Sequence, residues 1–404
     1  MLRRSAAVAV AVCATVCATG SAAMLAPPAT ADDVRGGQRA VIETLRLAQA
    51  WRISRGSGVT VAVLDSGVDP RHPDLAGSVR VGRDFTAGAN PRGTVPRRLH
   101  GTYMASLIAG HGHGPGGERG IIGAAPEADV LSVRVILEDD EPGRRAFGSG
   151  GRFENVVARG IRYAVDEGAD VINLSISKQL ATRAERAAVR YAIARGVVLV
   201  AAAGNEGDGA TYSYPAALPG VVSVAATDRR LRRAAFSNRN SSVLVAAPGV
   251  DIMGAGPGGA YWVGRGTSQA TALVSGVAAL VRARYPTLSP PLVARALAAG
   301  ATDLPPDGYD TATGFGVVDA ARALAEASRL SGHTEVATGP EAHDPARPLA
   351  GAEEGPVTAA VGGDRLVTVR AAIAVAGAAG ALVSLSVVVS LLVRVRRAQT
   401  SQGA

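Results

Sequence analysis

The feature that most constrains the fold is an alternation, over residues 59–299, of short apolar runs with longer segments of helical spacing. The runs are rich in Val, Ala and Leu, which is typical of strands buried on both faces of a sheet. Strands of this kind need helices on both faces to cover them. The sequence therefore predicts an α/β fold, a doubly wound parallel sheet whose ligands bind at the carboxyl ends of its strands.

The bounds of these elements follow from where the apolar pattern changes type. Strands are predicted at Val59–Leu64, Val130–Val135, Asp170–Leu174, Val197–Ala201, Val221–Ala225 and Val243–Ala247. Helices are predicted at Gly101–Gly110, Phe153–Glu167, Ala181–Ala194, Ser268–Tyr285 and Pro291–Ala299. The folded body is expected to span residues 51–328.

The net charge of the chain does not favour a nucleic-acid-binding function. The 404 residues carry a formal charge of +8, of which arginines at the two ends supply a large share (Arg3, Arg4, Arg394, Arg396 and Arg397). The small remainder predicts no basic face on the body and no nucleic-acid partner.

The N-terminus reads as an export signal. An apolar run, Ala6–Leu25, follows Arg3 and Arg4 and precedes Ala29–Ala31, which predicts a secretory signal over residues 1–31 with cleavage after Ala31. The alternative is an uncleaved signal anchor, because the run is longer than the usual apolar core of a signal. Both cysteines of the chain lie in this run, so a cleaved chain has no disulfide and no cysteine nucleophile.

The C-terminal region has the pattern of a membrane span. Ala371–Val393 carries no charge and as a helix would be about 35 Å long, enough to cross a hydrocarbon core of about 30 Å. A transmembrane helix is predicted over residues 370–393, with the basic tail 394–404 in the cytoplasm and the body outside. A buried core helix is the weaker alternative, because the segment has no polar stripe.

Two segments flank the body. Residues 329–369 are rich in Pro, Gly and acidic residues and are predicted to be a disordered linker with a mean reach of about 35 Å. Residues 32–50 form a short N-terminal extension.

Three polar residues lie at predicted junctions between elements. Asp65 closes the first strand, and His100 and Ser268 each stand at the start of a helix. Taken singly, these residues are explained as a turn cap, a structural histidine and a helix N-cap. Taken together they match the needs of acyl transfer, which requires a hydroxyl, a base to take its proton and a buried carboxylate to orient that base.

Three segments that contain these residues resemble the motifs of the subtilisin-like serine proteases, in the same order along the chain. They are Val61–Gly67, His100–Gly110 and Gly266–Gly276, and the resemblance covers Trp51–Leu324. A fourth segment, Ala201–Gly207, is similar to the oxyanion segment of the family.

The resemblance implies a role for each residue. Asp65 would orient His100, His100 would act as general base and then general acid, and Ser268 would be the nucleophile. Asn205, which follows Gly204 in the oxyanion segment, would form the oxyanion hole together with the backbone N–H of Ser268.

Substrate contacts follow from the same resemblance. Ser175, Ile176 and Ser177 resemble the strand that pairs with an extended polypeptide, Gly148–Gly150 resembles the facing strand, and Tyr214–Ala216 resembles the floor of the first specificity pocket. The substrate would then be held by strand addition. Each segment taken alone is equally well an ordinary strand or turn.

Three positions depart from the usual family pattern. Ser177 replaces a glycine at the pocket wall, which favours small side chains before the scissile bond. Leu99 stands where a glycine commonly precedes the histidine, and leaves the local loop geometry open. Ala272 replaces a proline after the nucleophile and affects helix packing more than chemistry.

No metal or cofactor is expected. His111 and His113 lie in a glycine-rich loop without a third ligand at a fixed spacing, so solvated side chains are favoured over a metal site. The acidic run Glu138–Glu141 is compatible with calcium, but four consecutive carboxylates cannot all face one ion, which favours a solvated loop.

The order of signal, subtilase domain, linker and single span resembles that of mycosins, the membrane-anchored subtilases that accompany type VII secretion systems. The expected function is endoproteolysis of secreted proteins outside the cytoplasmic membrane, and Asp32–Trp51 is expected to wrap the domain rather than inhibit it. Two other functions stay open. One is a structural stabiliser of a secretion complex with dispensable proteolysis, and the other is a housekeeping protease.

Overall fold

The computed structural model describes residues 31–148, 151–209, 212–302 and 305–331. The predicted signal apart from Ala31, the predicted span and tail, and all but the first residues of the predicted linker lie outside these ranges. Within the described ranges no helix is both long enough and apolar enough to cross a membrane.

The central element is a seven-stranded sheet in which every neighbouring pair is parallel. Its strands are β1 (Thr60–Asp65), β2 (Val79–Asp84), β5 (Asp129–Arg134), β6 (Val171–Leu174), β7 (Val198–Ala202), β8 (Val221–Thr227) and β9 (Val243–Pro248). Their order across the sheet is β2-β5-β1-β6-β7-β8-β9. Two hairpins stand apart from it, formed by β3 (His111–His113) with β4 (Arg119–Ile122) and by β10 (Ile252–Gly256) with β11 (Ala260–Gly264).

Helices cover the sheet on both faces, because successive residues of each strand point to opposite sides. Val61 and Val63 belong to one core cluster, and Ala62 and Leu64 belong to another. The described helices are α1 (Ala31–Thr44), α2 (Leu47–Ala50), α3 (Leu99–Ala109), α4 (Arg144–Gly148), α5 (Val156–Asp166), α6 (Arg183–Ala194), α7 (Thr267–Arg284), α8 (Pro290–Ala299) and α9 (Ala320–Ser331). The first cluster holds residues of α3, α7, α8 and α9 and the second holds those of α5 and α6, which confirms the predicted α/β fold.

Two helices, α5 and α9, differ from what the sequence predicts. Helix α5 begins at Val156 rather than Phe153 because Gly151–Phe153 forms a 3-10 turn, and the ring of Phe153 packs 5.0 Å from that of Phe147. Helix α9 was not predicted and continues into the predicted linker. Its buried face consists of three alanines and Leu324, so its apolar pattern is weak.

The N-terminal extension is helical and packs on the body. Leu45 and Leu47 are fully buried in the first core cluster. The side-chain amide of Gln38 donates to the carbonyl of Ile122 at 3.0 Å and accepts from the backbone N–H of Ile122 at 2.9 Å. Through this pair of bonds the Gln38 side chain attaches α1 to the backbone of β4.

Candidate active site

Asp65 lies at the carboxyl end of β1, near the middle of the sheet, and is fully buried. Its Oδ1 accepts from the backbone N–H of Ser66 at 2.7 Å. The Nδ1 atom of His100 lies 2.8 Å from Oδ1 and 2.9 Å from Oδ2 of the same carboxylate. The strand end therefore places a buried anion against one ring nitrogen of His100, which leaves Nε2 as the nitrogen that can act as a base.

The close approach of α3 to the loop after β1 depends on two glycines. A Cβ atom at Gly101 would lie 2.2 Å from the carbonyl oxygen of Gly67, and Gly67 has a φ of 95°. The backbone N–H of Gly101 donates to Oγ of Ser66 at 3.0 Å. The missing side chains bring the first turn of α3, and His100 with it, next to Asp65.

The charge of His100 is set by the acidic groups around it. Burial opposes the imidazolium, but the charge and hydrogen bond of Asp65, with the charges of Glu138 and Asp139, outweigh burial and raise the pKa of His100 to about 9. Oε1 of Glu138 also accepts the backbone N–H of His100 at 2.8 Å. The carboxylate of Glu138 therefore holds the first turn of α3 through a hydrogen bond and places a negative charge at the N-terminus of that helix.

Ser268 lies in the first turn of α7. Its carbonyl oxygen accepts from Oγ of Ser175, which follows β6, at 3.1 Å. Oγ of Ser175 in turn accepts from Nδ2 of Asn173, and Oδ1 of Asn173 accepts from Ser275. This buried chain of bonds ties the first turns of α7 to the end of β6.

The amide of Asn205 is oriented by the residue before Ser268. Oδ1 of Asn205 accepts from both the backbone N–H and the hydroxyl of Thr267, each at 2.9 Å. An ideal Cβ at Gly266 would lie 3.7 Å from Nδ2 of Asn205 and 3.7 Å from the backbone nitrogen of Ser268. The two predicted oxyanion donors, the side-chain amide of Asn205 and the backbone N–H of Ser268, therefore lie on either side of this position.

One cleft of about 620 Å³ joins these groups. His100, Asn205 and Ser268 line it, as do the predicted substrate-contacting residues Ser175, Ile176, Ser177 and Gly148. A nucleophile, a base and amide donors that open on one cleft are able to attack and stabilise a carbonyl group. Gly204 is not among the described residues that line the cleft. It is buried with a φ of 107°, and a Cβ there would lie 2.2 Å from Nδ2 of Asn238.

The predicted strand at Gly148–Gly150 is wrong at its first residue, because Gly148 ends the short helix α4. Gly150 falls outside the described residues. The segment Leu137–Asp139 also lines the cleft. Tyr214, predicted at a pocket floor, exchanges two backbone bonds with Lys178, at 3.0 and 2.8 Å.

The three departures from the family pattern have defined surroundings. Oγ of Ser177 lies 2.6 Å from Oγ of Ser213, so its side chain is held at the cleft wall. Leu99 is buried at the start of α3, after Arg98 in a left-handed conformation with a φ of 55°. Ala272 is fully buried inside α7.

The acidic run Glu138–Glu141 is solvated at Asp139 and Asp140, as the sequence favours, but not at Glu141. Asp139 pairs with Arg144, Asp140 pairs with Arg97, and Glu141, which is buried, pairs with Arg134. His113 is likewise not simply solvated, because its Nδ1 lies 2.6 Å from Oδ1 of the buried Asp74. Within the described ranges no group of three or more His, Cys, Asp or Glu side chains is arranged to hold a metal ion.

Two residues of the site were missed by the sequence analysis. Glu138 lies within an acidic run, and nothing in that run marks which member bonds to His100. Arg134 is buried, and its Nε donates to the carbonyl of Ser66 at 3.1 Å, next to Asp65. The signal that could have identified it is its place as the charged residue of the predicted strand Val130–Val135.

A model of the Subtilase family matches residues 56–316. Thermitase from Thermoactinomyces vulgaris is 40% identical over 239 residues, which are 59% of this chain and 80% of thermitase.

Two solved structures are also similar. MycP1 from Mycobacterium smegmatis is 28% identical with a TM-score of 0.60, and the match covers 78% of this chain and 89% of that one. The MycP3 protease from the type VII (ESX-3) secretion system is 31% identical with a TM-score of 0.59, and the match covers 70% and 87%.

Proposed function

This chain belongs to the subtilase family of serine peptidases, and from that premise we propose that it is an endopeptidase that works through Asp65, His100 and Ser268. The observation that carries the proposal is the pair of short contacts between Nδ1 of His100 and the buried carboxylate of Asp65. His100 lines the same cleft as Ser268 and Asn205.

The proposed reaction is acyl transfer in two steps. Nε2 of His100 takes the proton of the Ser268 hydroxyl as Oγ attacks the scissile carbonyl, while Asp65 holds Nδ1–H and stabilises the imidazolium. The amide of Asn205 and the backbone N–H of Ser268 donate to the oxyanion. His100 then protonates the leaving amine, and in the second step it activates the water that hydrolyses the acyl-enzyme.

The proposed substrate is an extended polypeptide. The segment Ser175–Ser177 continues from β6 along the cleft, so it offers backbone groups for strand addition. Ser177 carries a side chain at the cleft wall, which favours small groups at the substrate residue before the scissile bond.

We further propose that the enzyme is anchored outside the cytoplasmic membrane as a mycosin that processes secreted proteins. The supports are the signal-like residues 1–31, the uncharged segment 371–393 with arginines after it, and the structural similarity to MycP1 and MycP3. Because the domain would be tethered, its substrates would be proteins that emerge beside it.

Peptide-library cleavage by the full-length chain tests the catalytic proposal. Wild type is expected to cleave, and Ser268→Ala is expected to lose cleavage and labelling by a fluorophosphonate. Ser328→Ala, an exposed serine on α9, is the matched control and is expected to behave as wild type. Cleavage that persists in Ser268→Ala would refute the assigned nucleophile.

Cell fractionation tests the anchor. The full chain is expected in the membrane pellet after a carbonate wash, and a chain ending at residue 369 is expected in the soluble extracytoplasmic fraction. In the host, secretion that proceeds unchanged with Ser268→Ala but fails without the protein would support a structural role over proteolysis.

A further inference from the structure

Six arginines lie on the outer side of helices α5 and α6, and we call this surface the arginine face. All six are exposed, and none of them forms an ion pair with a carboxylate of the described residues. They are Arg159 and Arg162 on α5, Arg183, Arg186 and Arg190 on α6, and Arg195 directly after α6. The small net charge of the body predicted no basic face, and that prediction is wrong because a net charge does not describe how the charges are distributed over the surface.

Aromatic rings hold some of these arginines close to one another. The guanidinium carbons of Arg162 and Arg195 lie 5.0 and 4.8 Å from the ring centre of Tyr191. Those of Arg159 and Arg83 lie 5.3 and 5.4 Å from that of Phe85. The cations of each pair are therefore at most about 11 Å apart, a distance comparable with the Debye length of about 8 Å at physiological salt.

The acidic residues of the same two helices offset only part of this charge. Asp166 accepts from the hydroxyl of Tyr191 at 2.6 Å, so its negative charge lies beside Arg162 and Arg195 and offsets one of the six cations. Glu167 pairs with Arg80 at 2.6 Å. Glu185 is buried, closes the capping box of α6 and pairs with Lys178. The arginine face therefore presents fixed positive charge that an external anion would satisfy.

The distribution of the charge indicates the kind of anion. The arginines are spread over two packed helices and do not converge on one point, so an extended anionic surface fits them better than a single small anion. Guanidinium groups bind phosphate oxygens well, and basic residues are attracted to the surface of an anionic membrane.

We propose that the arginine face docks the domain onto anionic phospholipid headgroups. This inference rests on the proposed function in one respect, since the predicted anchor and a linker of about 40 residues would keep the domain within reach of the membrane. At the resulting high effective concentration several weak contacts are enough to orient the domain. The cleft reaches the first residues of α5 and the N-cap of α6, through Val156, Val157 and Thr182, but none of the six arginines lines it.

Arginine footprinting in nanodiscs tests the proposal. The full-length chain is reconstituted into discs of phosphatidylcholine alone or with one-third phosphatidylglycerol, and phenylglyoxal modification of each arginine is followed by mass spectrometry. Arg162, Arg190 and Arg195 are expected to react several-fold more slowly in the anionic discs, and high salt is expected to remove the difference. Arg295 and Arg322, exposed on α8 and α9, are internal controls and are expected to react alike in both discs.

Charge-removal variants separate docking from other effects. The triple variant Arg162→Gln, Arg190→Gln, Arg195→Gln is expected to lose the protection of Arg159 and Arg186, whereas Arg295→Gln with Arg322→Gln is expected to keep it. Equal reaction rates in the two discs would overturn the inference, as would protection by soluble polyglutamate or DNA that the anionic discs do not reproduce.

A failure of the lipid-docking inference and a failure of the proposed function give different results. Peptide cleavage by the same samples reports the catalytic proposal independently of the lipid. A chain that does not insert into either kind of disc refutes the predicted membrane anchor. In that case the arginine modification is repeated with the uninserted chain and preformed discs mixed in solution. In that format, rates unaffected by the anionic discs also count against the arginine face.

Discussion

Nδ1 of His100 faces both oxygens of the Asp65 carboxylate, at 2.8 and 2.9 Å, and the carboxylate is fully buried. A buried anion in this position fixes the tautomer of the ring, because Nδ1 must carry the proton for the contact to be favourable. The same carboxylate accepts from Ser66, so its own orientation is fixed by the turn that ends β1.

Asp65→Asn is expected to lower kcat by about 10⁴, the loss known for the corresponding change in a serine protease triad. The amide nitrogen would donate to Nδ1 and move the ring proton to Nε2, where it blocks the base. Steady-state cleavage of a peptide substrate measures the effect, with the exposed Asp251→Asn as control. Activity within tenfold of wild type would show that Asp65 does not serve the reaction.

Cleavage is expected to rise with pH through about 9. Burial lowers the pKa of His100, but Asp65, Glu138 and Asp139 raise it to about 9, and below that pH the ring is protonated and cannot accept the proton of Ser268. Glu138→Gln removes one of these charges, so the rising limb of kcat/KM should move to lower pH and activity at neutral pH should increase.

The control for this shift is Glu118→Gln, an exposed carboxylate outside the cleft, which should leave the pH profile in place. Glu138→Gln keeps an acceptor oxygen for the backbone N–H of His100, so the expected change is in the pH profile rather than in the fold. If the rising limb of the kcat/KM profile of Glu138→Gln stays at the wild-type pH or moves to higher pH, the charge of Glu138 does not raise the pKa of His100.

How far the sequence predicts the fold depends on the environment of each strand. The strands β1, β5, β6, β7, β8 and β9 were predicted within one or two residues because both of their faces are buried. Strand β2 was missed since most of its residues are exposed at the sheet edge and include Arg80, Arg83 and Asp84. Its place is decided by pairing with β5, which leaves no apolar run in the sequence.

The residues of the site likewise fall into those that the sequence identifies and those that it misses. Asp65, His100 and Ser268 were identified because each interrupts an apolar or helical pattern at a junction, and the structure places these junctions around one cleft. Glu138 could not be identified, because its bond to the backbone of His100 joins residues far apart in sequence. Sequence patterns mark where elements end, whereas contacts between loops are set by the packed structure.

The N-terminal extension is expected to stabilise the body. Gln38→Ala would remove both bonds to Ile122 and leave a backbone N–H and a carbonyl without their partner, at a cost of about 1–3 kcal/mol in the free energy of unfolding. Urea unfolding measures this, with Arg39→Ala, an exposed neighbour on α1, as control. Peptide cleavage at temperatures below the transition should be unchanged, and a loss of cleavage without a loss of stability would indicate a direct role for the extension in catalysis.

Gly101→Ala is expected to separate His100 from Asp65. Alanine favours a helix over glycine by about 1 kcal/mol, but here its Cβ would lie 2.2 Å from the carbonyl oxygen of Gly67, a backbone atom that cannot rotate away. The clash should outweigh the propensity, push α3 from the loop after β1, and lower both Tm and kcat, the latter by about 10² for a displacement of about 1 Å. Gly36→Ala in α1 is the matched control, because nothing lies within 4 Å of its Cβ position, and it should leave kcat unchanged and raise Tm slightly. If Gly101→Ala also raises Tm and retains kcat, the close contact between these two backbone segments is not what holds the histidine in place.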